Sequence, residues 1–298
     1  MTTLPTSATG LPRFRERVER DLLRHPIILD NPFTSWFSQG DFSREQLRRF
    51  IVQFSVFSNL FLVAQLLKTI NAPTLEAMRA SKEILANEIG VVFARPARTT
   101  REDDAEAHVR NTTGAGDAEA QARNTGEWDP ELVSPEGTVE GGAFHFRAAH
   151  FEWLVRMAEA LDLRFEEMGK RAHGRPSTLF FCDELARLYG SPDPVVAEGA
   201  SFAVENWAAA GFWKELVQGL RRYQERTGER FSIAFFTWHD RLEEQHAAHT
   251  QDELAQSYGT PGFHEERFIA AGREMLDGVQ AFWVGLDEVR KEPGGPAS

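Results

Sequence analysis

The stretch WHDRLEEQHAAH, residues 238–249, places three histidines and three acids within twelve residues. It follows the apolar run FSIAFFTW and holds no glycine or proline, which predicts that both belong to one helix. At about 100° per residue, His239, Glu243 and His246 fall within roughly 60° of one another on that helix. Two imidazoles and one carboxylate on a single stripe suit iron, manganese or zinc. A solvated polar face explains the stripe equally well, so both interpretations stay open until other helices are considered.

The composition restricts the classes of partner and the cell compartment. The 298 residues carry a net charge of −12 and no cluster of lysine and arginine, which disfavours nucleic acid and anionic membranes as partners. Cys182 is the single cysteine, which excludes an internal disulfide and a cysteine-based zinc cluster. The opening MTTLPTSATGLP has neither the basic nor the apolar region of a signal peptide, so a cytoplasmic protein is expected.

Nearly all periodic segments have helical spacing, which predicts an all-α fold class. The longest apolar run, FIVQFSVFSNLFLVAQLL, is interrupted by five polar residues and therefore predicts a buried helix rather than a membrane span. Ser43 and Gln46 have the spacing of a capping box at its start, and Gly90 is expected to end the next helix. The predicted helices cover residues 12–25, 43–70, 74–90, 143–162, 177–189, 193–226, 230–257 and 263–289.

One segment differs in composition from the rest of the chain. Residues 101–140 hold eleven acids and three arginines, so they supply −8 of the net charge of −12. Large apolar residues are few in this segment, and it contains NTTGAGD and GTVEGG, which are typical of loops. We therefore interpret residues 1–298 as one domain, with a core of about 12–290 and an acidic surface insertion of about 94–142.

Further metal-ligand side chains stand among apolar residues on other predicted helices. Glu88 lies in KEILANEIGVVF, Glu205 in GASFAVENWAAAGFW and His150 in AAHFEWLVRMAEAL. Each alone is more typical of a structural polar group, but a buried carboxylate needs a partner or a metal. Three carboxylates and three imidazoles from four helices are together the ligand set of a carboxylate-bridged site for two iron ions. The predicted metal ligands are Glu88, His150, Glu205, His239, Glu243 and His246.

The ferritin-like bundle is the usual alternative for such a ligand set. It uses two lone glutamates together with two Glu-x-x-His motifs. This chain has one such motif, from Glu243 to His246, and His239 one turn upstream supplies an extra imidazole. The ferritin-like pattern therefore fits poorly.

The order of these motifs resembles that of the haem-oxygenase-like diiron oxidases and oxygenases, which share the helical fold of haem oxygenase and bind no haem. Their core helices supply a glutamate, a histidine, a second glutamate and then His-x3-Asp/Glu-x2-His. The corresponding stretches here are NEIG, AHFEWLVRMAEALDL, GASFAVENW and HDRLEEQH. The resemblance covers about residues 12–258 and implies a haem-oxygenase-like helical bundle that holds iron through the six residues given above.

The first two ligands are spaced differently from those of many family members, in which they lie on one helix. Here Glu88 and His150 are 62 positions apart, with the acidic insertion between them. His150 is preferred as the second ligand because its surroundings match the family sequence, and His145 and His108 are the alternatives. Glu140 is similar in position to an additional carboxylate of certain N-oxygenase relatives, which leaves it open as an extra ligand.

The resemblance implies a non-haem diiron oxidase or oxygenase that activates O2 to oxidise a small organic substrate in specialised metabolism. Two Fe(II) ions, O2 as co-substrate and an external reductant or electron donor are then expected. The outcome stays open between N-oxygenation, desaturation and oxidative C–C cleavage, and a homodimer stays open as the assembly. The alternatives are a non-catalytic iron-binding protein and a cofactor-free or thiaminase-like enzyme of the same fold, for which Cys182 would be the candidate nucleophile.

Overall fold

The computed structural model describes residues 10–92 and 142–292, apart from the side chains of residues 242–249. These ranges form helices, short 3-10 turns and one two-stranded antiparallel ladder, so the predicted all-α class is confirmed. The helices are α1 (Gly10–Val18, continued by the π-helical turn Glu19–Leu23), α2 (Pro26–Leu29), α3 (Pro32–Phe37), α4 (Arg44–Ile70), α5 (Leu75–Glu88), α6 (His150–Ala160), α7 (Pro176–Tyr189), α8 (Pro194–Ala208), α9 (Phe212–Thr227), α10 (Ala234–Ser257) and α11 (Glu265–Lys291). The strands are β1 (Val91–Val92) and β2 (Ala143–Phe144), and the 3-10 turns are Phe146–Ala148, Phe165–Glu167 and Arg171–His173.

Helix α4 packs against α5, α6 and α7. It begins with the predicted capping box, in which the Ser43 hydroxyl accepts the backbone N–H of Gln46 and the Gln46 side chain accepts the backbone N–H of Ser43. Phe54, further along the helix, is fully buried and contacts the rings of Trp213 and Phe236. The core around α4 is therefore largely aromatic.

By length and composition, α4 could cross a membrane, since the mean hydropathy of its most apolar window is 1.8. Within the protein, however, 56% of that window is buried. Core helices of globular proteins pass the same test, so the feature is weak support for a membrane span. The structure places α4 in the core, as its interrupting polar residues predict.

A second group of helices packs along α11, which contacts both α7 and α8. Asp193 caps the start of α8 by accepting the backbone N–H of Val195, and Pro194 occupies the first helical position, where no N–H is needed. Gly199 then lies against the backbone carbonyl of Phe268 in α11, so any side chain at 199 would collide with it. Helix α8 also contacts α10, which brings Glu205 and His239 to neighbouring elements.

Three helix boundaries differ from the predicted ones. The segment 193–226 is two helices, because Gly211 adopts a left-handed φ of 100° between α8 and α9. The segment 143–162 forms a strand and a 3-10 turn before α6 begins at His150. The first helix ends at Leu23, and Pro26 starts α2, since proline has no N–H for a hydrogen bond to the preceding turn.

Candidate metal centre

Three side chains that are far apart in the sequence meet in one cluster. Glu88 is the last residue of α5, His150 is the first residue of α6, and His239 lies in the second turn of α10. His150 is 1% exposed and His239 is 7% exposed, while the side chain of Glu88 is 13% exposed. Each residue offers one ligand atom, and these atoms all lie within 4.8 Å of one another.

The ladder between β1 and β2 brings Glu88 and His150 together across the positions that separate them. Strand β1 follows Glu88 and strand β2 precedes His150, so their antiparallel pairing places the two helix ends side by side. Gly90 joins α5 to β1 with a φ of 113°, and its carbonyl accepts the backbone N–H of His145. A Cβ at position 90 would lie 2.5 Å from the His145 carbonyl oxygen, so both the dihedral angle and the close approach require glycine.

The distances within the cluster are compatible with a shared metal ion. The Glu88 Oε2 atom lies 3.0 Å from His150 Nδ1, and Glu88 Oε1 lies 4.0 Å from His239 Nε2. At metal–ligand bond lengths of about 2.1 Å, neighbouring ligands are about 3 Å apart and opposite ligands about 4 Å apart. A ligand set of imidazole nitrogens and carboxylate oxygens suits a first-row transition metal.

His150 Nδ1 is a buried polar atom without a hydrogen bond among the described residues. It lies close to Glu88 by distance, but the two groups are not aligned as donor and acceptor. A hydrogen bond depends steeply on its angle, so the short distance alone does not make one here. An orphaned, buried imidazole nitrogen beside a carboxylate fits a ligand that directs its lone pair at a metal ion.

The orientation of His239 is set by a backbone hydrogen bond. Its Nδ1 atom lies 2.7 Å from the carbonyl oxygen of Phe235, one turn earlier in α10. A carbonyl can only accept, so Nδ1 carries the proton and the Nε2 lone pair points toward Glu88. Metal-binding histidines are commonly held in this way through their second nitrogen.

Aromatic rings enclose both imidazoles. Trp153 stacks on His150 at 5.1 Å between centroids, and Trp238 lies 4.3 Å from it. Trp213 stacks on His239 at 4.7 Å. These aromatic walls lower the dielectric constant around both imidazoles, which strengthens electrostatic interactions there.

A pocket lies beside the cluster and is partly open to solvent. Glu88 and His239 line it, together with Glu205, which is 5% exposed. The other lining residues are mainly apolar: Phe57, Ser58, Phe61, Ile84, Val204, Trp207, Ala208, Trp213 and Phe235. Ligand-binding sites commonly combine mainly apolar walls with a few polar groups in this way.

The remaining candidate ligands have different outcomes. Helix α10 spans the positions of Glu243 and His246, but their side chains lie outside the described part of the chain. His108 and Glu140 also lie outside the described residues. His145 is exposed at the end of β2 and is not part of the cluster, so the structure brings His150 rather than His145 to Glu88.

The aromatic walls and the Phe235 carbonyl are contributions that the sequence analysis did not identify. Trp213, Phe235 and Trp238 have ordinary helical spacing among other apolar residues, which predicts only burial. For Phe235 a local signal does exist. Its backbone carbonyl lies one helical turn before His239, within reach of the His239 side chain.

The solved structures give a match to the whole fold. The chain has the fold of a TenA homolog. The match to this Pseudomonas syringae pv. tomato crystal structure has a TM-score of 0.55 and covers 96% of this chain and 98% of the other. The sequence identity is 11%, so the likeness concerns the fold, which is of the haem-oxygenase-like helical type. No protein-family model matches the chain, and no curated protein matches it.

Proposed function

We propose that the chain is a non-haem diiron oxidase or oxygenase that activates O2 to oxidise a small organic substrate. The observation that carries the proposal is the buried cluster of Glu88, His150 and His239 on the wall of an apolar pocket. The site would hold two Fe(II) ions through Glu88, His150, Glu205, His239, Glu243 and His246. Bound iron would supply the reduction of O2, for which an external reductant provides electrons.

The residues of the chain itself have three tasks in this proposal. Glu88 places negative charge between two imidazoles and so favours a bound cation. The Phe235 carbonyl holds His239 with its Nε2 toward the cluster. The rings of Phe57 and Phe61 offer an apolar surface to the substrate and exclude water from it. N-oxygenation, desaturation and oxidative C–C cleavage are all compatible with this arrangement, because each needs a substrate held beside the metal.

Of the two alternatives, the thiaminase-like reaction is disfavoured by the state of Cys182. This thiol is 4% exposed in the core face of α7 and does not line the described pocket. Burial raises its pKa to about 12, so the reactive thiolate is scarcely populated near neutral pH. A Cys182→Ser variant that loses all activity would favour the alternative.

Anaerobic loading with Fe(II), followed by a pulse of O2, tests the proposal. The wild-type protein should bind close to two equivalents of Fe(II) and consume O2 over several turnovers when a reductant and a substrate are present. Glu88→Gln should lower iron binding, while Glu159→Gln, an exposed glutamate of α6, should not. Retention of iron without turnover would indicate a non-catalytic iron-binding protein, and saturation at one equivalent would contradict a dinuclear site.

A further inference from the structure

The face of α4 that lines the pocket continues beyond it as a polar surface. Gln65 and Lys68 follow Phe61 by one and two turns and lie within about 60° of it around the helix axis. On α8, Ser201 lies one turn before Glu205 on the same face. Because the Lys68 ammonium donates a hydrogen bond of 2.6 Å to the Ser201 hydroxyl, these two faces lie against each other.

Gln65 is the strongest sign that this surface binds something. Its side chain is fully buried, yet neither its amide nitrogen nor its amide oxygen has a hydrogen-bond partner among the described residues. Buried amides in folded proteins are nearly always paired with protein or with bound water. The Gln65 amide can therefore donate a hydrogen bond to a bound molecule at no cost to an existing contact.

Lys68 is linked to the wall of the pocket through two aromatic rings. Its ammonium lies 5.6 Å from the ring centroid of Tyr189, and the Tyr189 ring lies 6.2 Å from that of Phe61. Within the described ranges, Lys68 takes part in no ion pair. Its positive charge is thus available to an anion in a half-buried setting, where Coulomb interactions exceed those in bulk water.

Two acids lie near Lys68 and bear on the charge of this surface. Glu198, on the same face of α8 as Ser201, accepts a hydrogen bond from Ser257 of α10, and Glu253 lies one turn before Ser257. Burial raises the pKa of Glu198 to about 7, so this carboxyl carries less negative charge at neutral pH than an exposed glutamate. The ammonium of Lys68 lowers the pKa of Glu198 by less than burial raises it, and no direct ion pair joins Lys68 to either acid among the described residues.

We propose that Gln65, Lys68 and Ser201 form the polar end of the substrate pocket and bind the carboxylate of a substrate whose apolar part lies against Phe57 and Phe61. All three offer donors, namely an amide N–H, an ammonium and a hydroxyl, and a carboxylate accepts from each. A substrate amine at this end would instead face the ammonium of Lys68. The partly buried ring of Phe61 lines the pocket and contacts Tyr189, so this proposal requires that ring to move when the substrate enters.

The inference rests on the proposed function for the fate of the substrate, but carboxylate binding needs no metal. We therefore measure binding to the metal-free protein by calorimetry with three ligands of equal length: 4-phenylbutyrate, 4-phenylbutanol and 4-phenylbutylamine. The expected order of affinity is carboxylate, then alcohol, then amine, with at least a tenfold difference between carboxylate and alcohol. Failure of the iron and O2 experiment leaves this result unaffected, so the two proposals fail separately.

Substitutions of Lys68 and Gln65 test whether these residues cause the preference for the carboxylate ligand. Lys68→Met and Gln65→Met should each remove the preference for the carboxylate, and Lys68→Glu should shift it to the amine. Lys82→Met, which removes the same charge from an exposed position on α5, should bind like the wild type. Circular dichroism checks that each variant is folded.

Three results would overturn the proposal. The first is a wild-type protein that binds the three ligands equally or binds no carboxylate. The second is a Lys68→Met variant that binds the carboxylate as well as Lys82→Met does. The third is a Gln65→Met variant with higher thermal stability and unchanged carboxylate affinity, which would mean that the amide serves only bound water.

Discussion

At the scale of single residues, the hydrogen bond from His239 Nδ1 to Phe235 decides which nitrogen faces Glu88. That nitrogen is Nε2, and the ring cannot turn without giving up the backbone hydrogen bond. The orientation of the His239 ring is therefore fixed by the protein itself. The same stripe of α10 continues through positions 243 and 246, whereas position 249 is about 80° away from His239 around the axis.

We predict that His239, Glu243 and His246 act as a unit and that His249 does not. The single variants His239→Ala, Glu243→Ala and His246→Ala should each abolish O2-dependent turnover. Combining these substitutions should have no further effect on turnover, because a site that lacks one ligand performs no O2 chemistry. His249→Ala is the control on the same helix and should keep most of the activity. O2 consumption by the Fe(II)-loaded protein is the measurement. Loss of activity in His249→Ala together with activity in His239→Ala would show that the register on α10 is wrong.

Glu198 makes the stability of the fold depend on pH. Its pKa is raised from 4.5 to about 7 by burial, so between these values the native state holds more protons than the unfolded state. The free energy of unfolding therefore falls as pH rises from 4.5 to 7, by about 3 kcal/mol in all, and is highest below 4.5 as far as this group is concerned.

Glu198→Gln should remove this part of the pH dependence, because the amide is neutral throughout and its oxygen can still accept from Ser257. Its thermal midpoint at pH 8 should exceed that of the wild type, and the difference should shrink toward pH 5. Glu159→Gln, at an exposed position of α6, should follow the wild-type curve. Parallel curves for Glu198→Gln and the wild type would contradict the assignment.

At the scale of elements, the turn from α5 into β1 sets the distance between Glu88 and His150. Gly90→Ala would place a Cβ 2.5 Å from the His145 carbonyl at a φ of 113°, a strain of about 1–3 kcal/mol before the clash is counted. We expect a lower thermal midpoint and weaker iron binding, because the strain moves Glu88 away from His150. Gly259→Ala is the matched control, since no atom lies near a Cβ there and its φ is ordinary. Iron titration and thermal unfolding of both variants are the measurements, and equal behaviour would contradict the prediction.

At the scale of the whole molecule, the β1–β2 ladder closes the fold at the base of the acidic segment. Val92 and Ala143 are directly paired, so a two-residue Asn-Gly turn can join them in place of residues 93–142. We predict that this shortened chain keeps its helical content and its thermal midpoint, as expected for an insertion in a single domain.

Iron stoichiometry of the shortened chain tests the ligand set at the same time. It should equal that of the full chain, because none of the six proposed ligands lies in the removed segment. A loss of one equivalent would instead assign a ligand to Glu140 or His108. Circular dichroism and anaerobic Fe(II) titration of the two chains provide the comparison.

Local signals accounted for most of the secondary structure. The capping box at Ser43 and Gln46 and the end of α5 at Gly90 were predicted correctly, because caps and left-handed glycines act within one turn. The break at Gly211 was not predicted, since a single glycine within an apolar pattern is compatible with a continuous helix. The strand before α6 was also missed, because its partner lies on the other side of the acidic segment.

By itself, the sequence determined the all-α class, the buried position of α4 and the residue types able to hold a metal. These properties follow from hydrophobic periodicity, helix-capping residues and the chemistry of single side chains, which act over a few residues. Only the tertiary structure decided that Glu88, His150 and His239 meet, that His145 stays outside, and that the buried Gln65 amide has no hydrogen bond to the rest of the described chain. The physical reason is that strand pairing and helix packing join residues that are tens of positions apart, and no local pattern specifies those contacts.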